Sequence, residues 1–252
     1  MRQPGLAHDS VEALGKRVIR CRLCPRLVRW REHVAREKVR RYADQEYWGK
    51  PNPGFGDPGA RLLLVGLAPA AHGGNRTGRM FTGDESGRWL YRALYKAGFA
   101  NRAESLSRSD GLLLRDCYIT ATCRCAPPAN RLLPAEIQNC RPFLLREMQL
   151  LGRVRVVVGL GRIGFEAALQ AYRQLGRVTW KRKPRFAHGA YFSFGDLTFI
   201  ASFHPSQQNT CTGRLTEPML DRIFSRARKV LLEEGETAGG TYPAPINSVT
   251  VS

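Results

Sequence analysis

Four short apolar runs alternate with helical patterns in this chain, and this alternation constrains its fold more than any other feature. The runs span residues 61–65, 117–122, 154–159 and 197–203. The segments that follow the first three carry apolar residues at helical spacing, within 90–97, 134–151 and 165–175. Strands that alternate with helices over crossover-length connections favour a mostly parallel sheet with helices on both faces. We therefore predict an α/β fold around a central four-stranded, mostly parallel sheet.

The composition fits one domain with short extensions. With 252 residues, of which 43% are apolar, the chain can bury a single sizeable core. Helical patterns within residues 10–38 and 216–234 would flank the sheet, so we place the domain at 10–234. The tail 235–252 is rich in Gly, Pro, Ser and Thr without periodicity, and we expect disorder there and in residues 1–9.

The charge of the chain narrows the class of its partner. The formal net charge is +19, and 33 of the 40 basic residues are arginine. This favours a polyanionic partner, with nucleic acid first, although an arginine-rich proteome alone would also raise the charge. The first ten residues have no apolar signal region, and no run approaches the roughly 20 residues of a membrane span. We expect a cytoplasmic, nucleoid-associated monomer with no membrane partner.

A glycine-rich loop follows the first apolar run. Residues 66–84 carry five glycines, together with His72, Phe81 and Asp84. Parallel α/β sheets bind ligands beside the loops at the carboxyl ends of their strands, where glycines let the backbone approach a ligand closely. The loops expected at the same edge are 124–131, 160–164 and 204–214. We therefore predict the functional site at this edge of the sheet.

Three side chains at the predicted edge each allow a structural and a functional interpretation. His204, after the fourth apolar run, is either a turn residue before proline or a donor to negative charge on a leaving group. Asp84 is either a helix N-cap or a carboxylate that orients water. Phe81 is either a core residue or a platform on which a planar ligand stacks. None of these residues alone decides between the two interpretations.

The seven cysteines indicate ligands, reactive groups or core residues rather than disulfides, because the expected compartment is reducing. Cys21 and Cys24 form a C-x2-C pair before a proline, and fourteen residues separate Cys125 from Cys140. Two ligands from one turn and two from a distant segment can complete a four-thiolate site. The spacing accommodates zinc and a [4Fe-4S] cluster equally, and Cys123 is an alternative to Cys125 as a ligand.

A glycine fingerprint follows the third apolar run. Gly159, Gly161 and Gly164 match the G-x-G-x-x-G pattern of dinucleotide-binding folds. That pattern also requires an acidic residue at a strand end about 20 residues later, where this chain has the basic stretch 180–185. We interpret the three glycines as a point of tight packing between a helix and a strand.

The longest motifs resemble a known family. Residues 66–84, 124–131 and 204–216 are similar to the signature segments of family 5, or type b, uracil-DNA glycosylases, and the resemblance extends from about residue 21 to residue 231. It implies a three-layer α/β/α fold and the removal of uracil and other deaminated bases, such as hypoxanthine, from DNA. It also implies a [4Fe-4S] cluster held by Cys21, Cys24, Cys125 and Cys140.

The resemblance assigns roles to individual residues. Asp84 matches the acid that activates or orients water, His204 the histidine that stabilises the departing base, and Phe81 the aromatic that stacks on the flipped base. Asn130 matches a polar residue near the pocket. The other residues expected at the base are Gly66, Ala68, Ala70, His72 and Asn209. The residues expected to contact DNA are Arg76, Arg79, Gln207, Gln208 and Arg214.

Two positions depart from related families, which have an acid or asparagine where this chain has Ala68 and an asparagine where it has Ala121. The departures imply a roomier and less selective base pocket. The four loops contain no lysine, so we expect no amine nucleophile and an abasic site as the product. Two other classes stay open, namely a non-catalytic iron-sulfur protein that binds nucleic acid and a nucleotide-dependent oxidoreductase.

Overall fold

The protein, described here from a computed structural model that covers residues 9–237, is built on a six-stranded sheet. In chain order the strands are β1 (Phe55–Gly56), β2 (Leu62–Gly66), β3 (Cys117–Ala121), β4 (Val156–Leu160), β5 (Tyr191–Phe194) and β6 (Leu197–Ser202). Their spatial order is β1, β3, β2, β4, β6, β5. The two strands next to the centre, β2 and β4, are thus flanked by β3 and β6.

The four apolar runs form the parallel centre of this sheet, as predicted. The strands β3, β2, β4 and β6 pair in parallel, and Leu64 of β2 lies opposite both Ile119 and Val158. Every residue of these four strands is buried. A strand that is covered on both faces is apolar along nearly its whole length rather than at alternate positions, which made these strands recognisable.

The sheet has six strands rather than the predicted four, because each edge carries a short antiparallel strand. At one edge Phe55 of β1 lies opposite Ile119, and at the other Phe192 of β5 lies opposite Phe199. β1 has two residues, and β5 is only partly buried. Neither has the continuous apolar run that marks an inner strand, so the apolar pattern did not reveal them.

Eight α-helices accompany the sheet in the described range. They are α1 (Val11–Ile19), α2 (Pro25–Glu37), α3 (Gly74–Thr77), α4 (Glu85–Lys96), α5 (Pro134–Leu150), α6 (Arg162–Gln174), α7 (Gln207–Cys211) and α8 (Glu217–Thr237). On one face α4 and α8 pack with Leu62 and Leu64, and on the other α5 and α6 pack with Leu63 and Val65. Alternate residues of β2 thus enter opposite cores, which gives three layers.

The ends of the predicted domain meet the limits of the described structure. The last helix extends to Thr237, three residues beyond the predicted domain end at 234. Asp9, which the composition groups with a disordered terminus, forms ion pairs with Arg17 and Arg146 at 2.8 and 2.7 Å. The disorder expected for residues 1–8 and 238–252 lies outside the described residues. Between residues 9 and 237, no helix combines the length and apolar content that a membrane crossing requires.

Candidate active site

The carboxyl ends of the four parallel strands lie at one edge of the sheet, so the loops that follow them emerge together, as predicted. The loop after β2 contains α3 and ends at Asp84, the N-cap of α4. The loop after β6 contains His204 and leads into α7. This edge therefore gathers the three side chains that the sequence marked as candidates for chemistry.

Phe81 and His204 face each other at this edge. Their ring centroids are 5.6 Å apart, and their planes are inclined by 32°. Phe81 also lies against the end of β2, because a Cβ placed on Gly66 would come within 3.1 Å of the Phe81 Cζ atom. Gly66 in turn lies opposite Ala121 at the end of β3. The two half-buried rings thus offer flat surfaces to a planar ligand, and the small residues Gly66 and Ala121 lie buried beneath them at the strand ends.

The backbone of Phe81 is strained. Its φ is +52°, in the left-handed region that bulky residues seldom adopt. Gly87, in the first turn of α4, makes room for this conformation, because a Cβ there would lie 1.9 Å from the Phe81 carbonyl oxygen. Thr82, the next residue, is held by Arg79 through a hydrogen bond of 2.9 Å. Such strain persists only where the surroundings fix it, and it concentrates at functional positions.

Asp84 caps a helix and also presents a buried carboxylate to the loop. Its Oδ1 accepts a hydrogen bond of 2.8 Å from the Gly87 N–H. Its Oδ2 lies against Gly73, where any Cβ would be only 1.8 Å from that oxygen. Burial raises the pKa of Asp84, whereas the Gly87 N–H and the Arg76 charge act in the opposite direction. Capping and chemistry are therefore compatible in one carboxylate.

His204 is a neutral imidazole at neutral pH. Burial lowers its pKa to about 4. Its carbonyl oxygen accepts a hydrogen bond of 2.8 Å from the Asn209 side chain, and its Cβ lies near Gly161, where a Cβ would be 3.3 Å away. A neutral imidazole donates one N–H, so this side chain can bind negative charge that develops on a leaving group. Asn209, predicted to contact the base, uses its amide to hold the His204 backbone.

Two arginines predicted to contact DNA are instead buried inside the loop. Arg76 donates to the carbonyl oxygens of His72 and Gly83 at 2.7 and 2.6 Å. Arg79 forms a buried ion pair with Asp110 at 2.6 Å. Neither guanidinium group can reach a phosphate without breaking these bonds, and their contact with DNA stays a prediction. Their long side chains brace the loop that carries Phe81 and Asp84.

The remaining predicted DNA contacts lie on the loop after β6. Gln207 and Gln208 begin α7 and are exposed. Arg214 is also exposed, and its guanidinium lies 4.6 Å from the centre of the Phe203 ring. All three can reach a ligand outside the protein, so their assignment to DNA stays a prediction.

The other predicted pocket residues are less closely grouped. His72 Nδ1 is 3.1 Å from the Tyr47 hydroxyl, and burial together with the Arg76 charge lowers the pKa of His72. Ala68 and Ala70 are half-buried in the first part of the loop. Asn130 is exposed in a turn where its φ is +55°. The roles of these four positions stay predictions.

The four cysteines predicted as ligands line one cavity. Cys21 and Cys24 precede α2, Cys125 follows β3 and Cys140 lies in α5. Cys123 lines the same cavity, but its thiol is buried and donates to the Glu136 carbonyl oxygen over 3.5 Å. The fold thus brings together two cysteine pairs that lie about a hundred residues apart in sequence.

Polar donors surround this cysteine cavity. Arg31, a buried residue of α2, donates from Nη1 to Cys125 Sγ over 2.8 Å, and Asn139 donates to Cys24 Sγ over 3.6 Å. Burial raises the pKa of the Cys24 and Cys125 thiols, whereas the Asn139 and Arg31 donors act in the opposite direction. Among residues 9–237, no three His, Cys, Asp or Glu side chains lie close enough together to hold a single metal ion.

The glycine fingerprint packs a helix onto strands, as interpreted from the sequence. A Cβ on Gly159 would lie 2.3 Å from Phe165 Cα, and one on Gly164 would lie 2.2 Å from the Val65 carbonyl oxygen. Gly161, with a φ of +84°, forms the turn between β4 and α6. Close packing of α6 therefore accounts for Gly159 and Gly164, and the positive φ of the turn accounts for Gly161.

Sequence reasoning missed three residues that shape the site, namely Gly73, Tyr47 and Arg31. Gly73 was one of five glycines in the loop, with nothing to single it out. Tyr47 meets His72, 25 positions later, and Arg31 meets Cys125, 94 positions later. No motif spans these separations, so only the folded chain reveals the contacts.

Comparison with known proteins gives consistent matches. The family model of the uracil DNA glycosylase superfamily matches residues 53–228. A type-5 uracil-DNA glycosylase of Mycobacterium leprae is 49% identical over 223 residues, which cover 88% of this chain and 96% of the relative. One from Thermus thermophilus is 47% identical over 220 residues, covering 87% and 97%. One from Pyrobaculum aerophilum is 45% identical over 211 residues, covering 84% and 89%.

Proposed function

The chain belongs to the uracil-DNA glycosylase superfamily, and we propose that it works in DNA repair by hydrolysing the N-glycosidic bond of uracil in DNA. The observation that carries the proposal is the meeting of three groups at the carboxyl edge of the sheet. The Phe81 and His204 rings face each other at 5.6 Å, and the Phe81 loop ends in the buried carboxylate of Asp84. The Phe81 ring suits a planar base, whereas His204 and Asp84 suit the breaking of the bond between that base and the sugar.

The first step is rotation of the target nucleotide out of the DNA stack. This rotation costs a few kcal/mol and is cheapest at mismatched bases, such as uracil opposite guanine. The Phe81 ring offsets part of this cost by stacking on the base. Stacking uses the flat face of the base, so it does not depend on the polar groups at the base edge. The strained Phe81 backbone holds that ring in place before the base arrives.

Bond cleavage leaves the bonding electron pair on the base and positive charge on the sugar. The neutral His204 ring donates an N–H to the oxygen on which the negative charge of uracil develops. The Asp84 carboxylate stabilises the oxocarbenium-like sugar and orients a water molecule. The water oxygen bonds to C1′ while its proton passes to the carboxylate and then, through solvent, to the uracil anion. The products are the free base and an abasic site.

The same site supports two finer proposals. The chain also accepts other deaminated bases such as hypoxanthine, because Ala121 and Gly66 end neighbouring strands beside Phe81 without a side chain that reads the base edge. The reaction stops at base removal, because the four loops at this edge contain no lysine that could form a covalent link to the sugar.

We further propose that the cysteine cavity holds a [4Fe-4S] cluster on Cys21, Cys24, Cys125 and Cys140. Such a cluster would take four cysteine thiolates as its ligands. The four cysteines line one cavity, where Arg31 and Asn139 donate to Cys125 and Cys24, and this shared cavity supports the proposal. When bound, the cluster would link the start of α2 covalently to α5.

The experiment uses oligonucleotides that contain one uracil or one hypoxanthine. After incubation with the protein, alkali converts abasic sites to strand breaks that a gel resolves. We expect strand breaks with both the uracil and the hypoxanthine oligonucleotide, and in each case only after alkali treatment. Breaks without alkali would contradict the monofunctional reaction, and uracil cleavage alone would contradict the broad substrate range. Salt-sensitive DNA binding without product from either base would favour a non-catalytic binding protein.

A further inference from the structure

A wide groove beside α2 carries positive charge that the proposed reaction does not use. Six of its lining residues define what is here called the basic groove, namely Arg20, Arg22, Glu32, Arg36, Trp48 and Lys50. Arg20, Arg22, Arg36 and Lys50 have exposed side chains. Glu32, the acidic residue among them, is paired with Arg22 at 2.6 Å. The groove therefore keeps a clear excess of positive charge facing solvent.

One aromatic ring gathers cations at the rim of the basic groove. The Lys50 ammonium lies 5.3 Å from the centre of the Trp48 ring, and the Arg108 guanidinium lies 4.5 Å from it. Cation–π contacts of this kind stabilise the position of a charged side chain without neutralising it. The ring itself is seated on Gly78, where a Cβ would come within 2.9 Å of Trp48 Cδ2. The cations are thus held ready for an anionic ligand.

The basic groove is joined to the loop that carries the candidate active site. The backbone N–H of Trp48 donates to the Arg76 carbonyl oxygen over 2.8 Å, and the backbone N–H of Gly49 donates to the Asn75 carbonyl oxygen over 3.0 Å. Both acceptors belong to α3, within the loop 66–84. A polyanion in the groove would therefore run along the outside of the loop that receives the base.

We propose that the basic groove binds the phosphodiester backbone of DNA next to the flipped nucleotide, an inference that rests on the proposed glycosylase function. Arg76 and Arg79 are buried and hold internal hydrogen bonds and ion pairs, so exposed cations around the loop are better placed to meet phosphates. The basic groove supplies several of them in one concave strip. DNA is the polyanion that fits, because the strip adjoins the site where its base would be held.

This role has a distinct signature. Phosphate contacts release counterions, so the logarithm of the binding constant falls with the logarithm of salt concentration by about 0.7 to 0.9 per contact. Contacts to the backbone are made equally before and during bond cleavage, so their loss raises KM and leaves kcat unchanged. A purely structural role would instead change thermal stability.

The test compares two variants that each remove two positive charges. Arg20→Gln/Lys50→Gln alters the basic groove, and Arg153→Gln/Arg173→Gln alters exposed residues at the opposite, amino end of the sheet. On a uracil oligonucleotide of about 30 nucleotides, we expect the groove variant to raise KM about 10-fold with unchanged kcat. The slope of the logarithm of the binding constant against the logarithm of salt concentration should become shallower by about 1 to 2. The control variant should match the wild type in both.

The outcomes separate this inference from the proposed function. Binding to undamaged DNA of the same length is measured in parallel, since it depends on phosphate contacts and not on base removal. If the wild type releases no base, the glycosylase proposal is overturned. If DNA binding is then weaker in the groove variant but not in the control variant, the proposed DNA-binding role of the groove still holds. Equal KM and equal salt dependence in the two variants, with unchanged melting temperatures, would overturn the proposal that the groove binds the DNA backbone.

Discussion

Asp84 combines a helix cap and a buried charge, and substitution can separate the two. Asparagine keeps an acceptor for the Gly87 N–H but removes the charge. We expect Asp84→Asn to lower kcat about 100-fold or more, because a positioned carboxylate is lost. Its melting temperature should match or exceed that of the wild type at pH 7, because burial raises the pKa of Asp84 and so disfavours the charged form in the folded state.

Asp84→Ala serves as the matched comparison. It removes the charge and the cap together, so it should lose the same activity and also about 1 kcal/mol of stability. Activity assays and thermal melts of the two variants resolve the question. An Asp84→Asn enzyme with nearly full kcat would reduce Asp84 to a helix cap.

The depressed pKa of His204 predicts a dependence of stability on pH. The folded pKa is about 4, against an ordinary value of 6.5. As pH falls below 6.5 the unfolded chain takes up the proton first, so the stability present above 6.5 is lost between 6.5 and 4. His204→Gln should remove this part of the acid loss, as measured by thermal melts across pH 4 to 7. NMR titration of the ring with a midpoint near 6.5 would contradict the neutral donor.

Prediction from sequence succeeded for some residues at this edge and failed for others, for a physical reason. Strand order and loop position placed Phe81 and His204 at one edge, and in the structure their ring centroids are 5.6 Å apart. The residues next to an arginine in sequence do not indicate whether its side chain is exposed. Arg79 is buried because of Asp110, 31 positions later, and the loop that holds it is irregular. Local sequence therefore indicated which side chains lie at this edge, but not that Arg76 and Arg79 are buried in it.

The strands show the same division. Inner strands are apolar throughout because helices cover both their faces, and that pattern is visible in sequence. The edge strands β1 and β5 exist because they pair with β3 and β6, and their own residues are only partly buried. Secondary structure that depends on a partner strand is hard to read from its own sequence.

The contact between α6 and β2 explains the glycine fingerprint and predicts what happens without it. A Cβ on Gly164 would lie 2.2 Å from the Val65 carbonyl oxygen, which belongs to an inner strand and cannot yield. We expect Gly164→Ala to lose about 1 to 3 kcal/mol of stability through overpacking. Gly152→Ala is the control, because open space surrounds that position. Chemical denaturation measures both, and equal stabilities would mean that the packing account is wrong.

Across the whole molecule, one residue of α2 joins the cysteine cavity to the active-site loop. Arg31 donates to Cys125 Sγ at 2.8 Å, and its carbonyl oxygen accepts from the Asn75 side chain at 3.2 Å. Asn75 lies in α3, within the loop that ends at Asp84. Support for the cysteine region is therefore also support for the loop, which gives a proposed cluster a structural purpose away from the chemistry.

Removal of one proposed ligand tests this link. Cys140→Ser should lose bound iron and visible absorbance after anaerobic purification, since serine oxygen is a poor ligand for the cluster. Because metal binding contributes directly to folding free energy, the melting temperature should fall by several degrees. Activity should fall with it, because the contact from Arg31 to Asn75 loosens. Cys211→Ser, at an exposed thiol, should behave as the wild type. Zinc in place of iron in the wild-type protein would contradict the cluster, and an unchanged melting temperature despite loss of iron would contradict its supporting role.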